Sequence, residues 1–389
     1  MTSWADHPMV SAATELQPMI RRLGDRIDAE RRLPQELVDA LTEAEVFQMY
    51  QPRSAGGPEV HPLTGFTVCE ELARVDGSVG WCAQVSAAVT VFLAWLDPDA
   101  LAEMRAMSDR PLHVAGSARP LGTAVRTDDG YRVKGHWNYA SGVRHANWFL
   151  ATSFVEGRDG AAVPRSMLVP VTDGEIVPNW NVVGMRGTGS DDFVLDDVEV
   201  PRGRTASRHW IGLRTEPLYD PRLAMVATWA PTAGVAVGLA QGALDALVEL
   251  ADVGSTGSPQ PLGERGSVQQ AVAEAEAITS AARAFCVDAI GGAWQALEDD
   301  RTDLGTAVAR AQLSITHAMN EAVRVADRCF HAAGTNAIST ANRLERFLRD
   351  AHTAVQHAAG QSIHLRASGR VLLGLEPVEV AHPRIGPSS

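Results

Sequence analysis

The sequence predicts a mainly α-helical protein with a central β domain, and three observations on the 389-residue chain support that fold class. Apolar side chains recur at helical spacing through about the first 110 residues. Short β-branched or aromatic segments then alternate with Gly and Asp turn residues up to about residue 203. Helical composition returns from residue 223 onward. We place the boundaries at residues 1–111 for an N-terminal helical domain, 112–221 for the β domain, and 222–389 for a C-terminal helical bundle and tail.

The N-terminal domain is predicted to consist of successive helices. Within residues 10–32, one apolar stripe predicts an amphipathic helix; it consists of Leu16, Met19, Ile20, Leu23 and Ile27. Leu33-Pro34 ends this helix, and Pro34 suits the first turn of the next one. Residues 63–75 and 78–96 predict two further helices, and the second is so apolar all round that we expect it to be buried.

The central domain is predicted to be an antiparallel β-barrel or sandwich of about 100 residues. Turn residues bound seven short segments with strand composition: 113–118, 123–126, 131–137, 148–154, 166–171, 175–177 and 193–200.

The C-terminal part is predicted to be a four-helix bundle. Its first helix, residues 224–251, carries Gly234, Gly238 and Gly242 four residues apart, and small residues at that spacing let helices approach closely. Three more long helices are predicted over residues 268–297, 302–333 and 342–373. A polar connector lies between the first two helices, and the tail from Glu376 is predicted to be extended.

Composition excludes several classes of partner. The net charge of −13 disfavours nucleic acid and anionic membranes, since both call for a basic surface. The four cysteines lack CxxC spacing, and we expect buried, reduced thiols rather than disulfides or a metal site. The first residues lack a signal pattern and no run of 18 apolar residues occurs, so we expect a cytoplasmic protein with no membrane span.

Residues 134–148, KGHWNYASGVRHANW, carry the densest set of candidate site residues. Two Trp, one Tyr, a Ser-Gly step and two His crowd a segment that should be strand and turn. Aromatic faces beside small polar groups suit a flat conjugated ligand.

Three segments together resemble the acyl-CoA dehydrogenase superfamily: GHWNYASGVRHANWFL, VVGMRGTGSDDFVLDDVEVP and RLERFLRD. The resemblance spans nearly the whole chain. It implies an N-terminal helical domain, a β domain and a C-terminal four-helix bundle, assembled as a homotetramer. It also implies that the first segment lines a flavin ring.

Within that superfamily the chain resembles the two-component flavin-dependent monooxygenases that hydroxylate 4-hydroxyphenylacetate and steroid-derived phenols. The Trp137-x-x-x-Ser141-Gly142 spacing is similar to theirs. A dehydrogenase needs a Glu to remove a weakly acidic proton. Residues 357–364 and 221–228, where the family carries that base, contain no Glu, although Asp220 lies just outside.

The resemblance implies two catalytic residues. Ser141 would hydrogen-bond the flavin N5 edge, and His357 would deprotonate a phenol or hydrogen-bond the distal oxygen of a C4a-hydroperoxyflavin. Imidazole suits either task because its ordinary pKa lies near 6.5. On a helix, His357 would share one face with Arg349 and Thr353. Each residue also has a purely structural alternative. Ser141 would then belong to a common Ser-Gly turn, and His357 would lie on a solvated polar helix face.

The other implied contacts are with cofactor and substrate. The flavin would contact Trp137, Ser141, Gly142, Arg349, Gly334 and Thr335. His113 would touch substrate. For Trp137, packing on the isoalloxazine and an ordinary place in the core are nearly equal alternatives. No His pair has metal-ligand spacing, and no metal is expected.

The cofactor is expected to be reduced FMN or FAD. Residues 254–263 contain no Arg or Lys to pair with the FAD pyrophosphate, so FMN is slightly favoured. Because the sequence has no GxGxxG or Walker motif, a separate flavin reductase must supply the electrons.

The predicted function is therefore the oxygenase component of a two-component monooxygenase that uses O2 to hydroxylate a small, aromatic substrate. Relatives that hydroxylate phenols often carry a His in the region of residues 83–90, and this chain has none there. Two alternatives remain open: an FAD-dependent acyl-CoA dehydrogenase with a displaced base, and a non-catalytic assembly subunit.

Overall fold

The N-terminal region is helical. The computed structural model describes residues 4–156, 161–206, 211, 215–254 and 260–376, and the predicted extended tail lies outside them. The first helices are α1 (Pro8–Glu30), α2 (Gln35–Glu43), α3 (Pro62–Ala73), α4 (Gly77–Thr90) and α5 (Pro98–Ala106). Asp76 caps α4, because its carboxylate accepts the backbone N–H of Ser78 at 2.9 Å. Helix α4 is almost wholly buried, as predicted, and continues into a 3-10 segment, Val91–Trp95.

The central strands form one mixed sheet. In the described part of the chain they are β1 (Val114–Arg126), β2 (Gly130–Trp137), β3 (Trp148–Glu156), β4 (Ala162–Pro170), β5 (Glu175–Val177) and β6 (Asp192–Pro201), in the order β4-β3-β1-β2-β6-β5. Strands β1 and β3 run parallel, with Val114 opposite Trp148, so the prediction of an antiparallel domain is wrong. Residues 138–147 cross the end of the sheet and return the chain on the far side of β1. The predicted strands 113–118 and 123–126 are one strand with an irregularity between Ser117 and Gly122.

The C-terminal helices are α6 (Ala224–Glu249), α7 (Gly266–Glu298), α8 (Leu304–Ala333), α9 (Leu344–Ala354) and α10 (Ser362–Leu372). The single helix predicted over residues 342–373 is wrong, because the chain breaks between α9 and α10. A 3-10 turn, Ala358–Gly360, fills the break. A side chain at Gly360 would meet the carbonyl oxygen of Val355 at 2.3 Å, and His357 caps the turn. His357 therefore does not share a helix face with Arg349.

Close glycine packing joins the two helical regions. A Cβ at Gly234 would lie 2.0 Å from the carbonyl oxygen of Phe66, and one at Gly238 would lie 2.4 Å from that of Glu70. The prediction that this stripe lets helices approach closely is confirmed, with α3 as the partner of α6. One hydrophobic core runs through both helical regions, and the sheet has a second core of its own. The division into three domains stays a prediction.

In the part of the chain that the structure describes, two helical stretches are long and apolar enough to cross a membrane: residues 77–95 and α6. Of their most apolar windows, 78% and 83% lie buried inside the fold. Burial against the rest of the chain accounts for their composition.

Candidate active site

Ser141 lies in the loop that joins β2 to β3 across the end of the sheet. Tyr139 and Gly142 both have positive φ angles, 60° and 75°, which turn the chain sharply on either side of Ser141. The N–H of Ser141 donates to the carbonyl of Tyr139 at 2.9 Å, and the N–H of Gly142 donates to that of Thr188 at 2.9 Å. These bonds fix the Ser141-Gly142 step against residues 185–190.

The hydroxyl of Ser141 is part of a chain of three buried hydroxyls. Its Oγ lies 2.6 Å from Ser190 Oγ, which lies 2.7 Å from Thr188 Oγ1. Thr188 in turn donates to the carbonyl of Met185 at 2.8 Å. The sequence indicated both segments but not this link, and Thr188 and Ser190 were missed as site residues. Their only signal was the Gly-Thr-Gly-Ser run.

Two buried side chains hold residues 185–190 in place. Asp350 Oδ1 accepts the N–H of Met185 at 2.5 Å, and Ser78 Oγ accepts that of Gly187 at 3.1 Å. Met185 is itself in the left-handed region, with φ at 53°. Burial, and then the charge of Asp76, raise the pKa of Asp350 to about 7. Burial likewise raises the pKa of Asp76 to about 6.

His357 lies in an aromatic wall on the helical side. Its ring meets Trp81 with centroids 5.4 Å apart and planes at 85°, and meets Trp229 at 6.0 Å. His364 packs on the same Trp229 at 5.0 Å. His357 Nδ1 accepts the N–H of Ala359 at 3.2 Å, so we infer that Nε2 carries the proton. Burial, helped by His364, lowers the pKa of His357 to about 4, and the ring is neutral near pH 7.

Helix α4 brings the Ser141 loop and the His357 wall together. Cys82 Sγ lies 3.8 Å from the carbonyl oxygen of Thr188, the same oxygen that holds Gly142. The preceding residue, Trp81, contacts His357. Two consecutive residues of one helix therefore contact the carbonyl that holds the Ser141-Gly142 step and the ring of His357.

Trp137 belongs to the sheet core, a placement that favours the core alternative over the predicted flavin contact. Its side chain is fully buried, its Nε1 donates to the carbonyl of Thr152 at 3.0 Å, and its ring packs on Phe149. The aromatic with an open face is Tyr139, which is 60% exposed and lies edge-on to Trp180 at 6.1 Å. Trp180 also lines a cleft of about 410 Å³.

His113 is also a core residue. Its imidazole stacks on Phe47 with centroids 3.9 Å apart and planes at 12°, and only 3% of the residue is exposed. Burial lowers the pKa of His113 well below its ordinary value. The substrate contact that the resemblance implied for His113 stays a prediction.

The remaining predicted cofactor residues lie apart from His357. The Arg349 guanidinium is engaged by Glu345 at 2.6 Å, by the carbonyl of Val183 at 2.5 Å and by Asp28 at 3.4 Å. It ties α9 to α1 and to the loop before Met185.

Gly334 and Thr335 are exposed beyond the end of α8, where their neighbour Asn336 bonds to Gly254. Gly254 follows the far end of α6, about 30 Å along the helix from Trp229. One chain alone therefore does not bring them to the His357 wall.

Among the residues that the structure describes, no group of three His, Cys, Asp or Glu side chains is placed to hold a metal ion.

Two family models match the sequence. Acyl-CoA dehydrogenase, N-terminal domain, matches residues 11–96, and Acyl-CoA dehydrogenase, C-terminal domain, matches residues 230–362.

Known proteins match over nearly the whole chain. The oxygenase subunit HsaA of a flavin-dependent monooxygenase from Mycobacterium tuberculosis is 32% identical over 370 residues, covering 90% of this chain and 91% of its own. Indole-3-acetate monooxygenase from Pseudomonas putida is 30% identical over 361 residues, covering 92% and 91%.

Solved structures agree with these relatives. The crystal structure of HsaA from M. tuberculosis matches with a TM-score of 0.85 and 30% identity, over 95% of this chain and 98% of that one. XiaF from a Streptomyces species, solved in complex with FADH2 and glycerol, matches with a TM-score of 0.86 and 26% identity, over 96% and 97%. The chain therefore belongs to the acyl-CoA dehydrogenase superfamily and, within it, to the oxygenase components of the flavin-dependent monooxygenases.

Proposed function

We propose that this chain takes reduced flavin from a separate reductase and, with O2, hydroxylates a small aromatic substrate held between the Ser141 loop and the His357 wall. The observation that carries the proposal is the convergence of both on Trp81 and Cys82 of α4. A bound reduced flavin reacts with O2 and supplies the oxygen to be transferred. The protein binds and orients the reactants and keeps water out.

The residues of the Ser141 loop fit an isoalloxazine ring, which is planar and carries N–H donors and carbonyl acceptors. Tyr139 offers an exposed aromatic face. Asn138 Oδ1 is buried and has no hydrogen-bond partner in the described part of the chain, so it is available to a ligand N–H. Among the described residues beyond its chain neighbours, a Cβ at Gly142 would meet Cys82 Sγ alone within 4 Å, which leaves room for close approach of a ring.

His357 is better placed as a hydrogen-bond donor than as a base. A base would need a free lone pair, but Nδ1 already accepts the N–H of Ala359. The remaining nitrogen, Nε2, carries the proton of the neutral ring. Of the two tasks that the resemblance left open, donation to an oxygen of the reacting group is the one we propose.

The aromatic wall supports an aromatic substrate. Trp81 and Trp229 surround His357, and indole rings bind other aromatic rings by stacked or edge-on contacts. The P. putida relative is named for indole-3-acetate, which is aromatic. In the region where relatives often carry a His, Gln84 accepts a hydrogen bond from Thr232 at 2.9 Å, so its amide oxygen is committed within the protein.

The flavin type, the assembly and the compartment stay proposals. FMN is slightly favoured because the connector, residues 254–263, contains no Arg or Lys. Residues 255–259 of this connector lie outside the described part of the chain. XiaF, in contrast, was solved with FADH2. We propose a homotetramer, in which the exposed Gly334 and Thr335 would reach the flavin of a neighbouring subunit. We also propose a cytoplasmic location, consistent with four free, buried cysteines.

Spectroscopy tests the proposal. We expect photoreduced FMN or FAD to bind anaerobically, and oxygen plus an indole or phenol to give a hydroxylated product. Bleaching of a tightly bound FAD by acyl-CoA under argon would instead favour the dehydrogenase. Asp220, the carboxylate just outside residues 221–228, is paired with Arg222 at 2.8 Å, which argues against that alternative. Failure to bind either flavin would favour an assembly subunit.

A further inference from the structure

We infer that Thr188 and Ser190 are positioning residues that set the direction of the Ser141 hydroxyl and so make the site prefer reduced over oxidised flavin. This inference rests on the proposed function, in which Ser141 meets the flavin N5 edge. It concerns which partner donates the hydrogen at that contact.

The direction follows from counting protons along the hydroxyl chain. The chain ends at the carbonyl oxygen of Met185, which can only accept, so Thr188 donates its single hydroxyl proton there. Thr188 Oγ1 must then accept from Ser190 at 2.7 Å. Because the single hydroxyl proton of Ser190 is donated to Thr188, Ser190 Oγ must accept a hydrogen bond from the Ser141 hydroxyl at 2.6 Å. The Ser141 oxygen is left with lone pairs and no proton for a ligand.

Burial maintains this direction of hydrogen-bond donation along the hydroxyl chain. Thr188 and Ser190 are 0% and 3% exposed. Among the described residues, their hydroxyls bond the other members of the hydroxyl chain and the Met185 carbonyl, and no other group. Reversing this direction would give up the bond from the Thr188 hydroxyl to the Met185 carbonyl, which at 2.8 Å is shorter than the bonds that this oxygen accepts from Trp180 Nε1 at 3.1 Å and from the Thr188 N–H at 3.2 Å. The Met185 end is itself fixed, since Asp350 holds its N–H.

A Ser141 that can only accept discriminates between the two states of a flavin. Reduced flavin carries an N5–H, which can donate to Ser141. Oxidised flavin has a bare N5, which faces the Ser141 lone pairs with no hydrogen between them. The hydroxyl chain therefore favours binding of the reduced flavin that a reductase delivers. Oxidised flavin is released more readily.

Two substitutions disrupt the direction in different ways. Ser190→Ala removes the acceptor of the Ser141 proton and frees it to donate to oxidised N5. Thr188→Val removes the acceptor of the Ser190 proton, so Ser190 donates to Ser141, and Ser141 donates outward. Either variant suffices if the other does not fold. Thr188→Ser keeps every hydroxyl and serves as the conservative variant. Ser166→Ala is the matched control, because it deletes a buried hydroxyl that, among the described residues, bonds Thr152 and lies outside this hydroxyl chain.

The measurement is the ratio of dissociation constants for oxidised and photoreduced FMN. We expect both disrupting variants to lower this ratio about tenfold, with a fall of about 30 mV in the two-electron potential of the bound flavin. Thr188→Ser and Ser166→Ala should match wild type. An unchanged ratio in Ser190→Ala and Thr188→Val, with reduced FMN still bound, would overturn the inference alone. A wild type that binds neither FMN nor FAD would overturn the proposed function as well.

Discussion

The imidazole of His357 meets the indole of Trp81 edge to face, 5.4 Å between ring centroids. This contact, together with the bond from the Ala359 N–H to Nδ1, orients Nε2 as the donor. We expect His357→Ala to lower the hydroxylation rate by about 10²- to 10³-fold, because the loss of one preorganised hydrogen-bond donor in an active site costs about that much. Binding of reduced FMN should be unchanged. His352→Ala, which removes a half-exposed imidazole paired with Asp327, is the control, and a His357→Ala variant with wild-type turnover would contradict the assignment.

The pH dependence of the reaction tests the state of His357. Because burial lowers its pKa to about 4, the ring stays neutral as the pH falls from 8 to about 5, and its charged form appears only near pH 4. We therefore expect no acid limb from His357 in the hydroxylation rate above about pH 5. A limb near 6.5 that disappears in His357→Gln would show that the ring is solvated and titrates normally.

Substitutions at Tyr139 and Trp137 should have different effects: the first on flavin binding, the second on the free energy of unfolding. Tyr139→Ala removes an exposed aromatic face, and we expect about three- to tenfold weaker binding of reduced FMN with little change in the free energy of unfolding. Trp137→Phe should lower the free energy of unfolding by about 1–3 kcal/mol, since it leaves the buried carbonyl of Thr152 without its donor. Fluorescence titrations measure flavin binding and denaturation curves measure stability. Weaker flavin binding by Trp137→Phe, with stability unchanged, would support the predicted contact of Trp137 with the flavin.

Asp350 should make stability depend on pH. Its pKa is about 7 in the folded chain and ordinary in the unfolded chain, so the folded state binds more protons between about pH 4 and 7. This contribution to stability is full below pH 4 and is lost as the pH rises through 7.

Asp350→Asn removes the charge but keeps an acceptor for the Met185 N–H. Its free energy of unfolding, relative to wild type, should therefore rise on the order of 2 kcal/mol from pH 5 to 8. The exposed Asp25→Asn is the control; equal slopes for both variants in denaturant titrations would refute the mechanism.

Two helix glycines should respond in opposite directions to alanine. At Gly238, the new methyl would meet the carbonyl of Glu70 at 2.4 Å, and we expect a loss of about 1–3 kcal/mol in unfolding free energy. At Gly292, inside α7, a new Cβ would meet no atom of the described residues within 4 Å apart from its own helix backbone and chain neighbours, and alanine should stabilise by about 1 kcal/mol. Chemical denaturation measures both. A stable Gly238→Ala would mean that α3 and α6 move apart easily.

The helix–sheet–helix order was predictable because it depends on local periodicity and composition. The parallel pairing of β1 with β3 was not, because strand pairing is non-local and leaves no mark on either strand. The break after α9 escaped prediction because its Ala-rich residues have helical composition. The structure marks the break by the cap from His357 to the Ala359 N–H and by the close approach of Gly360 to the Val355 carbonyl.

Within the site, the segment was predictable and the orientation of its side chains was not. Trp137 is the last residue of β2 and points into the sheet core, whereas Tyr139 lies in the loop and points outward. The two aromatics are only two residues apart, so the choice depends on where the strand ends. The contact between Ser141 and Ser190 joins residues 49 apart, which no spacing rule connects.

The strand order also limits how the site can open. Strands β2 and β3 lie on opposite sides of β1, so the segment carrying Ser141 is tethered at two points about 10 Å apart. Bonds to Thr188 and Ser190 also hold the middle of this span. The break between α9 and α10 interrupts the helical wall beside His357, so we expect substrate entry and product exit to depend on motion of that wall.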